Sequence, residues 1–234
     1  SNDLIFKYEI CKKGKIEIIP LGFDLNKFTK NIKIKREKLR KEFNVNDNTV
    51  LITIVGRIVP IKNHKLFIDV INYCKNKSRK DIKALIVGDG SETEEIIKYT
   101  EEIGLSSSYK DLNKECDVLF TSWRSDIDSI LAASDIVCLT SLNEGTPVSI
   151  IEAMASKTAS ISTDVGGVSD IIENNISGIV SSNELNDFGE LLLKMIENND
   201  FRLILAEKGQ SKSLENFNYH KLVYNIESLY QNIM

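Results

Sequence analysis

A glycine and two cations follow the first strongly apolar segment of the chain, as Gly56-Arg57 with Lys62 five residues after the arginine. Ligands of an open parallel sheet bind outside the carboxyl ends of its strands, so two cations at such a point suit an anion. Each charge-assisted contact to a phosphate contributes about 1.5–3 kcal/mol. Two solvated surface cations would give the same pattern, and these residues alone leave both interpretations open.

Two carboxylates flank a predicted helix start further along the chain. Glu144 comes just before the helix, with Thr146 as the expected N-cap and Pro147 as the first helical residue. Glu152 lies about a turn and a half inside the helix, on an otherwise apolar face. A carboxylate there is costly unless a polar group pairs with it. Glu152 therefore indicates either a ligand with hydroxyl donors or a salt bridge to one of the two upstream cations.

Three other patterns favour structural roles. Gly88-Asp89-Gly90 follows the second strand but lacks the third glycine of a dinucleotide motif, because Thr93 stands there, so a tight turn is expected. Asp126-Ile127-Asp128 resembles a metal-binding pair, yet it opens a helix, where acidic residues complement the helix dipole. The chain has only two histidines, His64 and His220, so a histidine-based metal or nucleophile site is not expected.

Short β-branched segments alternate with segments of helical period from residue 49 onward. This alternation predicts βαβ units and a parallel sheet, and strands that are apolar throughout predict helices on both faces. The predicted strands are 49–56, 82–88, 118–122, 136–141, 159–163 and 178–181, and the predicted helices are 64–77, 92–103, 126–133, 147–156, 169–173 and 186–198. We therefore expect a doubly wound, Rossmann-like α/β domain.

The two ends of the chain do not fit this unit. A short strand is predicted at residues 16–19, and a highly charged helical stretch at residues 30–42. Residues 201–234 are expected to be helical, with one break near Asn216 and Asn218. The last stretch has apolar residues at helical spacing, namely Leu222, Ile226, Leu229 and Ile233. Both ends are expected to attach to another part of the protein.

Composition and charge exclude several classes of protein. The chain has 234 residues, with 42% hydrophobic and 27% charged residues, as folded globular domains have. The net charge of -4, without a basic run, argues against a nucleic-acid partner. No apolar run approaches the roughly 18 residues of a membrane span. The four cysteines show no CxxC spacing, which indicates reduced thiols and a cytoplasmic setting.

Taken together, the motifs resemble the C-terminal, nucleotide-sugar-binding domain of family 4 glycosyltransferases of the GT-B fold, the glycosyl transferases of group 1. The resemblance covers most of the chain. Its strongest part is the E-x7-E pair of Glu144 and Glu152, set between the two cations and Asp164-Val165-Gly166-Gly167. The segment Ile18-Ile19-Pro20-Leu21-Gly22-Phe23-Asp24 is similar to the family's interdomain segment.

The resemblance implies roles for the charged residues. Gly56, Arg57 and Lys62 would hold the donor diphosphate, Glu144 would lie near the donor sugar, and Glu152 would accept hydrogen bonds from the ribose hydroxyls. Members of this family are usually retaining enzymes, in which the leaving diphosphate helps take the acceptor proton. Arg57 and Lys62 would neutralise the charge that develops there, so that they and Glu144 are the implied catalytic residues. Neither a metal ion nor another cofactor is implied.

The resemblance also implies contacts to other parts of the donor. Gly145 and Thr146 would bring backbone amides and a helix N-terminus towards the phosphates. The segment Thr121-Ser122-Trp123-Arg124 aligns beside the nucleotide base. Trp123 could stack on the base or pack in the core, and Arg124 is counted among the donor-binding residues.

The same resemblance divides the chain. Residues 1–30 would be an interdomain strand and linker from a missing N-terminal domain, residues 31–217 the nucleotide-sugar-binding domain, and residues 218–234 a helix that crosses back to the missing domain. Because Ser1-Asn2 looks like a cloning remnant, we expect a piece of a longer protein. The missing domain would supply the acceptor site and any peripheral membrane association, so the piece alone is expected to be inactive.

Three functions are compatible with the pattern. The first is the donor half of a glycosyltransferase that uses a UDP- or GDP-sugar and a glycan or lipid-linked acceptor, as in surface polysaccharide synthesis. The second is half of a nucleotide-sugar epimerase, which would need further acid and base residues. The third is a nucleotide-binding module without catalysis. Donor hydrolysis or transfer by the whole protein would separate them.

Overall fold

A computed structural model describes residues 16–233. Its centre is a sheet of seven parallel strands in the order β3-β4-β2-β1-β5-β6-β7. The strands are β1 Val50–Val55, β2 Ile82–Val87, β3 Ser107–Tyr109, β4 Val118–Ser122, β5 Ile136–Leu139, β6 Ala159–Thr163 and β7 Ile179–Ser181. The expected parallel, Rossmann-like α/β fold is therefore confirmed.

Helices cover both faces of the sheet, because successive residues of each strand point to opposite sides. On one face, Ile52 and Ile54 of β1 pack in a core with residues of the helices α3 and α8; on the other face, Leu51 packs in a core with residues of α2 and α5. The helices are α1 Asn26–Thr29, α2 Ile32–Glu42, α3 His64–Lys77, α4 Thr93–Glu102, α5 Ile127–Ala133, α6 Val148–Ala155, α7 Val168–Ile171, α8 Leu185–Glu197, α9 Asn199–Asn216 and α10 Tyr219–Ile233, with a 3-10 turn at Pro60–Lys62.

Strands β1 and β5 are hydrogen-bonded near their amino ends. The Asp135 carboxylate, just before β5, accepts a hydrogen bond from the Leu51 amide at 2.8 Å and contacts from Arg36 at 2.7 Å and Arg40 at 3.1 Å. The paired register of the two strands ends at Thr53 and Val137. Their carboxyl ends therefore have no ladder between them, which leaves room for the loops that follow.

The described residues form two compact units, one of Leu25–Ser213 and the other of residues 16–24 with 214–233. In the second unit, the Phe23 amide donates to the Phe217 carbonyl at 2.8 Å. The predicted break in the C-terminal helix is confirmed, since α9 ends at Asn216 and α10 begins at Tyr219. No residue of α10 is buried, and no helix of residues 16–233 is long and apolar enough to cross a membrane.

One predicted strand is absent, and one observed strand was not predicted. Residues 16–22 form no strand, and Phe23 makes only an isolated bridge with Asn218. An apolar, β-branched segment becomes a strand only where a neighbouring strand supplies a ladder, and no strand within residues 16–233 does so for this segment. Conversely, the edge strand β3 at Ser107–Tyr109 was missed because it is short and polar, which hides the hydrophobic pattern of a strand.

Candidate functional site

The conserved geometry of open α/β sheets places ligands where the chain changes direction across the sheet. Here that point lies between β1 and β5, because β1 is followed by β2 on one side and has β5 on its other side. Gly56 follows β1 directly, and the loop of Glu144 follows β5. The two strongest sequence motifs therefore meet at one point of the carboxyl edge of the sheet.

Lys62 and Glu144 form an ion pair at this point. The Lys62 Nζ lies 2.5 Å from Glu144 Oε1, and the two side chains are 25% and 10% exposed. The Ser141 hydroxyl donates to the same oxygen, at 2.6 Å. The salt bridge considered for Glu152 is therefore made by the other glutamate of the motif. This pairing joins residues 82 positions apart, which is why local sequence patterns do not reveal it.

Buried hydroxyls at the ends of β5 and β6 hold the two loops together. Thr140 Oγ1 donates to the Lys62 carbonyl at 3.1 Å, and Thr163 Oγ1 donates to the Ser141 carbonyl at 2.6 Å. The threonines and Ser141 are fully buried. These hydrogen bonds fix the main chain beneath both members of the ion pair. The sequence interpretation gave none of these hydroxyls a role, although their position at strand ends beside charged loops is a usable signal.

The glycine pair after β6 packs against the glutamate loop. Gly166 has φ 52°, and a Cβ added to it would lie 1.7 Å from the Glu144 carbonyl oxygen. The Gly167 amide donates to that same oxygen at 3.2 Å. Only glycine allows both the left-handed backbone and this approach. Gly166 and Gly167 thus hold the loop that carries Glu144.

Glu152 lies in the middle of α6 and is half-buried. Burial raises the pKa of its carboxyl group, and the positive charge of Lys27 opposes that rise. No hydrogen bond between described residues reaches this carboxylate. The internal salt bridge from Glu152 to Arg57 or Lys62, one of its two interpretations, is absent from residues 16–233, where Lys62 pairs with Glu144 instead.

The start of α6 differs by one residue from the prediction. The helix begins at Val148, and its N-cap is Pro147, with ψ at 87° and no side-chain capping bond, rather than Thr146. Pro147 was expected in the first turn because a proline lacks the amide hydrogen that goes unpaired there. Its ψ of 87° is not helical, however, so the helix begins one residue later. Gly145 and Thr146 are exposed, and an atom added at the Cβ position of Gly145 would meet nothing within 4 Å.

Trp123 and Arg124 follow β4 and have different environments. Trp123 is 66% exposed, so packing in the core is not its role. The Arg124 guanidinium forms a two-pronged contact with Asp126, at 2.8 and 2.7 Å, and contacts Glu42 at 2.8 Å. This guanidinium lowers the pKa of Asp126. Asp126 therefore anchors Arg124, instead of only complementing a helix dipole as the sequence suggested, and Asp128 pairs with Lys35 at 2.7 Å.

Arg57 and His64 complete the surroundings. Arg57 is exposed and forms no ion pair with any residue of the range 16–233. His64, the first residue of α3, is 1% exposed, and neither ring nitrogen has a hydrogen-bond partner in the described part of the chain. Burial and the charge of Lys62 lower its pKa to about 4. The sequence did not single out His64 as a neutral residue beneath the site. The residues from Ile16 to Ile233 contain no cluster of three or more potential metal-binding side chains.

Comparison with known proteins shows which family the chain belongs to. The family model described as Glycosyl transferases group 1 covers residues 35–212. The chain belongs to this family. The UDP-Gal:alpha-D-GlcNAc-diphosphoundecaprenol alpha-1,3-galactosyltransferase of Escherichia coli is 32% identical over 231 residues, which are 95% of this chain and 57% of that protein. This group 1 domain thus spans little more than half the length of that relative.

Solved structures share the fold of this group 1 glycosyl transferase domain. HepE of Anabaena, in complex with UDP and glucose, has a TM-score of 0.79 at 22% identity, over 96% of this chain and 59% of that one. The C-terminal domain of LpcC, a glycosyl transferase group 1 family protein of Francisella tularensis, has a TM-score of 0.69 at 23% identity, over 84% of this chain and 99% of that one. The α/β Rossmann-like fold therefore matches GT-B glycosyltransferase structures.

Proposed function

We propose that the chain is the donor-binding, C-terminal domain of a family 4 retaining glycosyltransferase that uses a UDP- or GDP-sugar. The observation that carries this proposal is the Lys62–Glu144 pair at the switch point of the sheet, with Gly56 and Arg57 at the end of β1. A cation and a carboxylate at one point suit a ligand that has phosphates next to hydroxyl groups. A nucleotide sugar is such a ligand.

Each charged residue has a part in the proposed reaction. Arg57 and Lys62 bind the diphosphate and stabilise the negative charge that grows as the bond to the sugar breaks. Glu144 accepts a hydrogen bond from the sugar and orients it. Glu152 accepts from the ribose, which provides the polar partner that its half-buried carboxylate lacks within residues 16–233. The leaving diphosphate helps take the proton of the acceptor hydroxyl. Because Arg57 and Lys62 neutralise the charge of the diphosphate, this proposal includes no metal ion and no further cofactor.

The loops after β4 and β5 provide the remaining contacts. Gly145 and Thr146 direct backbone amides towards the phosphates. Trp123 stacks on the base, which its 66% exposure permits. Arg124 is engaged by Asp126 and Glu42, so we assign it an indirect part in donor binding: it anchors the loop that presents Trp123.

The acceptor and the rest of the enzyme are part of the proposal. The names of the relatives support a lipid-linked or polymeric acceptor, since one is a diphosphoundecaprenol galactosyltransferase and another a poly(ribitol-phosphate) N-acetylglucosaminyltransferase. We infer a role in surface polysaccharide synthesis. An N-terminal domain would provide the acceptor wall and any membrane contact, residues 1–30 and 218–234 would connect to it, and the cytoplasmic setting stays a prediction.

Calorimetry with the 234-residue chain tests donor binding. UDP, GDP and their nucleosides, together with UDP-galactose, UDP-N-acetylglucosamine and GDP-mannose, are titrated with EDTA present. We expect one of the diphosphates to bind without metal and its nucleoside to bind much more weakly. Failure of every nucleotide to bind, or a strict need for magnesium or manganese, would contradict the proposal.

Product analysis distinguishes the functions. We expect no sugar transfer by this chain alone, because an unpositioned acceptor loses an orientation advantage of roughly 7–11 kcal/mol. The whole protein is expected to transfer or slowly hydrolyse the donor. Interconversion of the donor sugar without release of nucleotide would indicate an epimerase, and binding without any turnover by the whole protein would indicate a non-catalytic module.

A further inference from the structure

One oxygen of Glu144 receives both of the contacts that hold its side chain. Lys62 Nζ lies 2.5 Å from Oε1, and the Ser141 hydroxyl lies 2.6 Å from the same atom. No hydrogen bond between described residues uses Oε2. A carboxylate has about four acceptor positions, so this arrangement leaves one oxygen able to accept from a hydroxyl of a ligand.

The two holders of Glu144 differ in rigidity. Lysine has a flexible stem and a compact, strongly hydrated charge, and its three donors turn freely. Ser141, in contrast, is fully buried two residues after the end of β5, and its carbonyl accepts a hydrogen bond from Thr163 at 2.6 Å. The hydroxyl therefore lies at a fixed place, whereas the ammonium can follow a new anion.

Arrival of a diphosphate changes the balance at this pair. The phosphates attract Lys62 and repel the Glu144 carboxylate, so the ion pair between Lys62 Nζ and Glu144 Oε1 weakens when the donor binds. At that moment the carboxylate must point at the sugar. The serine hydroxyl carries no charge that the phosphates could attract away. It is the contact that persists.

We propose that Ser141 is a positioning residue of the donor site, whose hydroxyl keeps Glu144 turned towards the sugar while the diphosphate engages Lys62. This inference rests on the proposed function. It assigns Ser141 a contribution to the recognition of the sugar part of the donor and none to the recognition of the nucleotide.

Ser141→Ala tests this, with Ser162→Ala as the matched control. Ser162 is equally buried, and within the described part of the chain its hydroxyl donates only to the carbonyl of Thr163, at 3.0 Å. Calorimetry compares UDP with UDP-galactose and UDP-N-acetylglucosamine, and GDP with GDP-mannose. We expect Ser141→Ala to lower the affinity for the preferred nucleotide sugar of the wild-type chain by about three- to tenfold. The affinity for the free nucleotide should fall by less than about twofold. Ser162→Ala is expected to change neither.

A double-mutant cycle shows whether Ser141 acts through Glu144. In a Glu144→Ala background, Ser141→Ala should cause no further loss of nucleotide-sugar affinity. Ser141→Cys, with its weak S–H donor, should fall between wild type and Ser141→Ala, and thermal denaturation of each variant records folding. The inference is overturned if Ser141→Ala lowers the affinity for nucleotide and for nucleotide sugar equally, or leaves the affinity for the nucleotide sugar unchanged. It is also overturned if Ser141→Ala still lowers this affinity in the Glu144→Ala background. If the wild-type chain binds none of these ligands, the proposed function itself is refuted.

Discussion

Replacement of Lys62 by methionine separates its two contacts. An atom added at Cβ of Gly56 would be 3.8 Å from Cε of Lys62, so the stem of the lysine lies along this glycine and methionine can retain that packing. The substitution removes a charge-assisted contact to the diphosphate, which we expect to cost about 1.5–3 kcal/mol, or roughly ten- to a hundredfold in affinity. It also leaves the Glu144 carboxylate, 10% exposed, with Ser141 as its one remaining partner among residues 16–233.

That second effect predicts a loss of folding stability of about 1–3 kcal/mol, since a buried acceptor loses its charged partner. Lys62→Met with Glu144→Gln should recover most of this stability but none of the diphosphate affinity. Arg57→Met should lose affinity without losing stability, because Arg57 is exposed and has no ion pair within residues 16–233. Lys98→Met is the control, since Lys98 also pairs with a glutamate, at 3.4 Å, but on the exposed surface of α4. Calorimetry with UDP, GDP and their nucleosides, together with urea denaturation, measures both effects. Equal diphosphate affinity of wild type, Lys62→Met and Arg57→Met would refute the role of the cations.

Three further substitutions test other parts of the site. Glu152→Gln should weaken binding of the ribonucleotide more than binding of its 2′-deoxy analogue in calorimetry. Because burial raises the folded pKa of Glu152, the variant should also have a larger free energy of unfolding than the wild type above that pKa. This gain should vanish as the pH falls below the unfolded pKa. Equal losses for both nucleotides would leave Glu152 a structural residue. His64 has a folded pKa of about 4, so the free energy of unfolding of the wild type should fall by about 2 kcal/mol between pH 7 and pH 5, as the unfolded chain takes up the proton. His64→Leu should lack this decrease in urea titrations, and an identical pH dependence of the two proteins would contradict the prediction. Trp123→Ala should weaken nucleotide and nucleoside alike by about 0.5–1.5 kcal/mol without lowering the melting temperature, and a drop in melting temperature with unchanged binding would exclude stacking.

The regular elements of the sheet were predictable because their periodicity is local. The predicted helix at 64–77 and the predicted strand at 118–122 match α3 and β4 residue for residue. An apolar strand or an amphipathic helix carries its pattern within a few residues. The segment at 16–19 shows the limit of such patterns, because an apolar segment needs a neighbouring strand that its own sequence does not specify.

Residue types and spacing selected Lys62 and Glu144 as candidates, but they did not predict that these two residues pair. The two cations and two glutamates were identified from type and spacing, yet the partner of Lys62 proved to be Glu144, which depends on β1 and β5 being neighbours. Ser141 was missed for the same reason, because its contact depends on the Glu144 side chain turning back towards it in the folded loop. The domain boundaries and the roles of the individual donor-binding residues remain predictions.

A crystal structure of the chain with UDP, and another with GDP, tests the central claim most directly. The account predicts a diphosphate at the carboxyl ends of β1 and β5, with its oxygens about 3 Å from Lys62 and Arg57, and ribose hydroxyls on Glu152. A nucleotide bound elsewhere, for example in the groove between α3 and α4 lined by Lys65 and Glu95, would contradict it. The account would also be contradicted if no nucleotide bound at this edge of the sheet in crystals grown at saturating concentrations of UDP or of GDP.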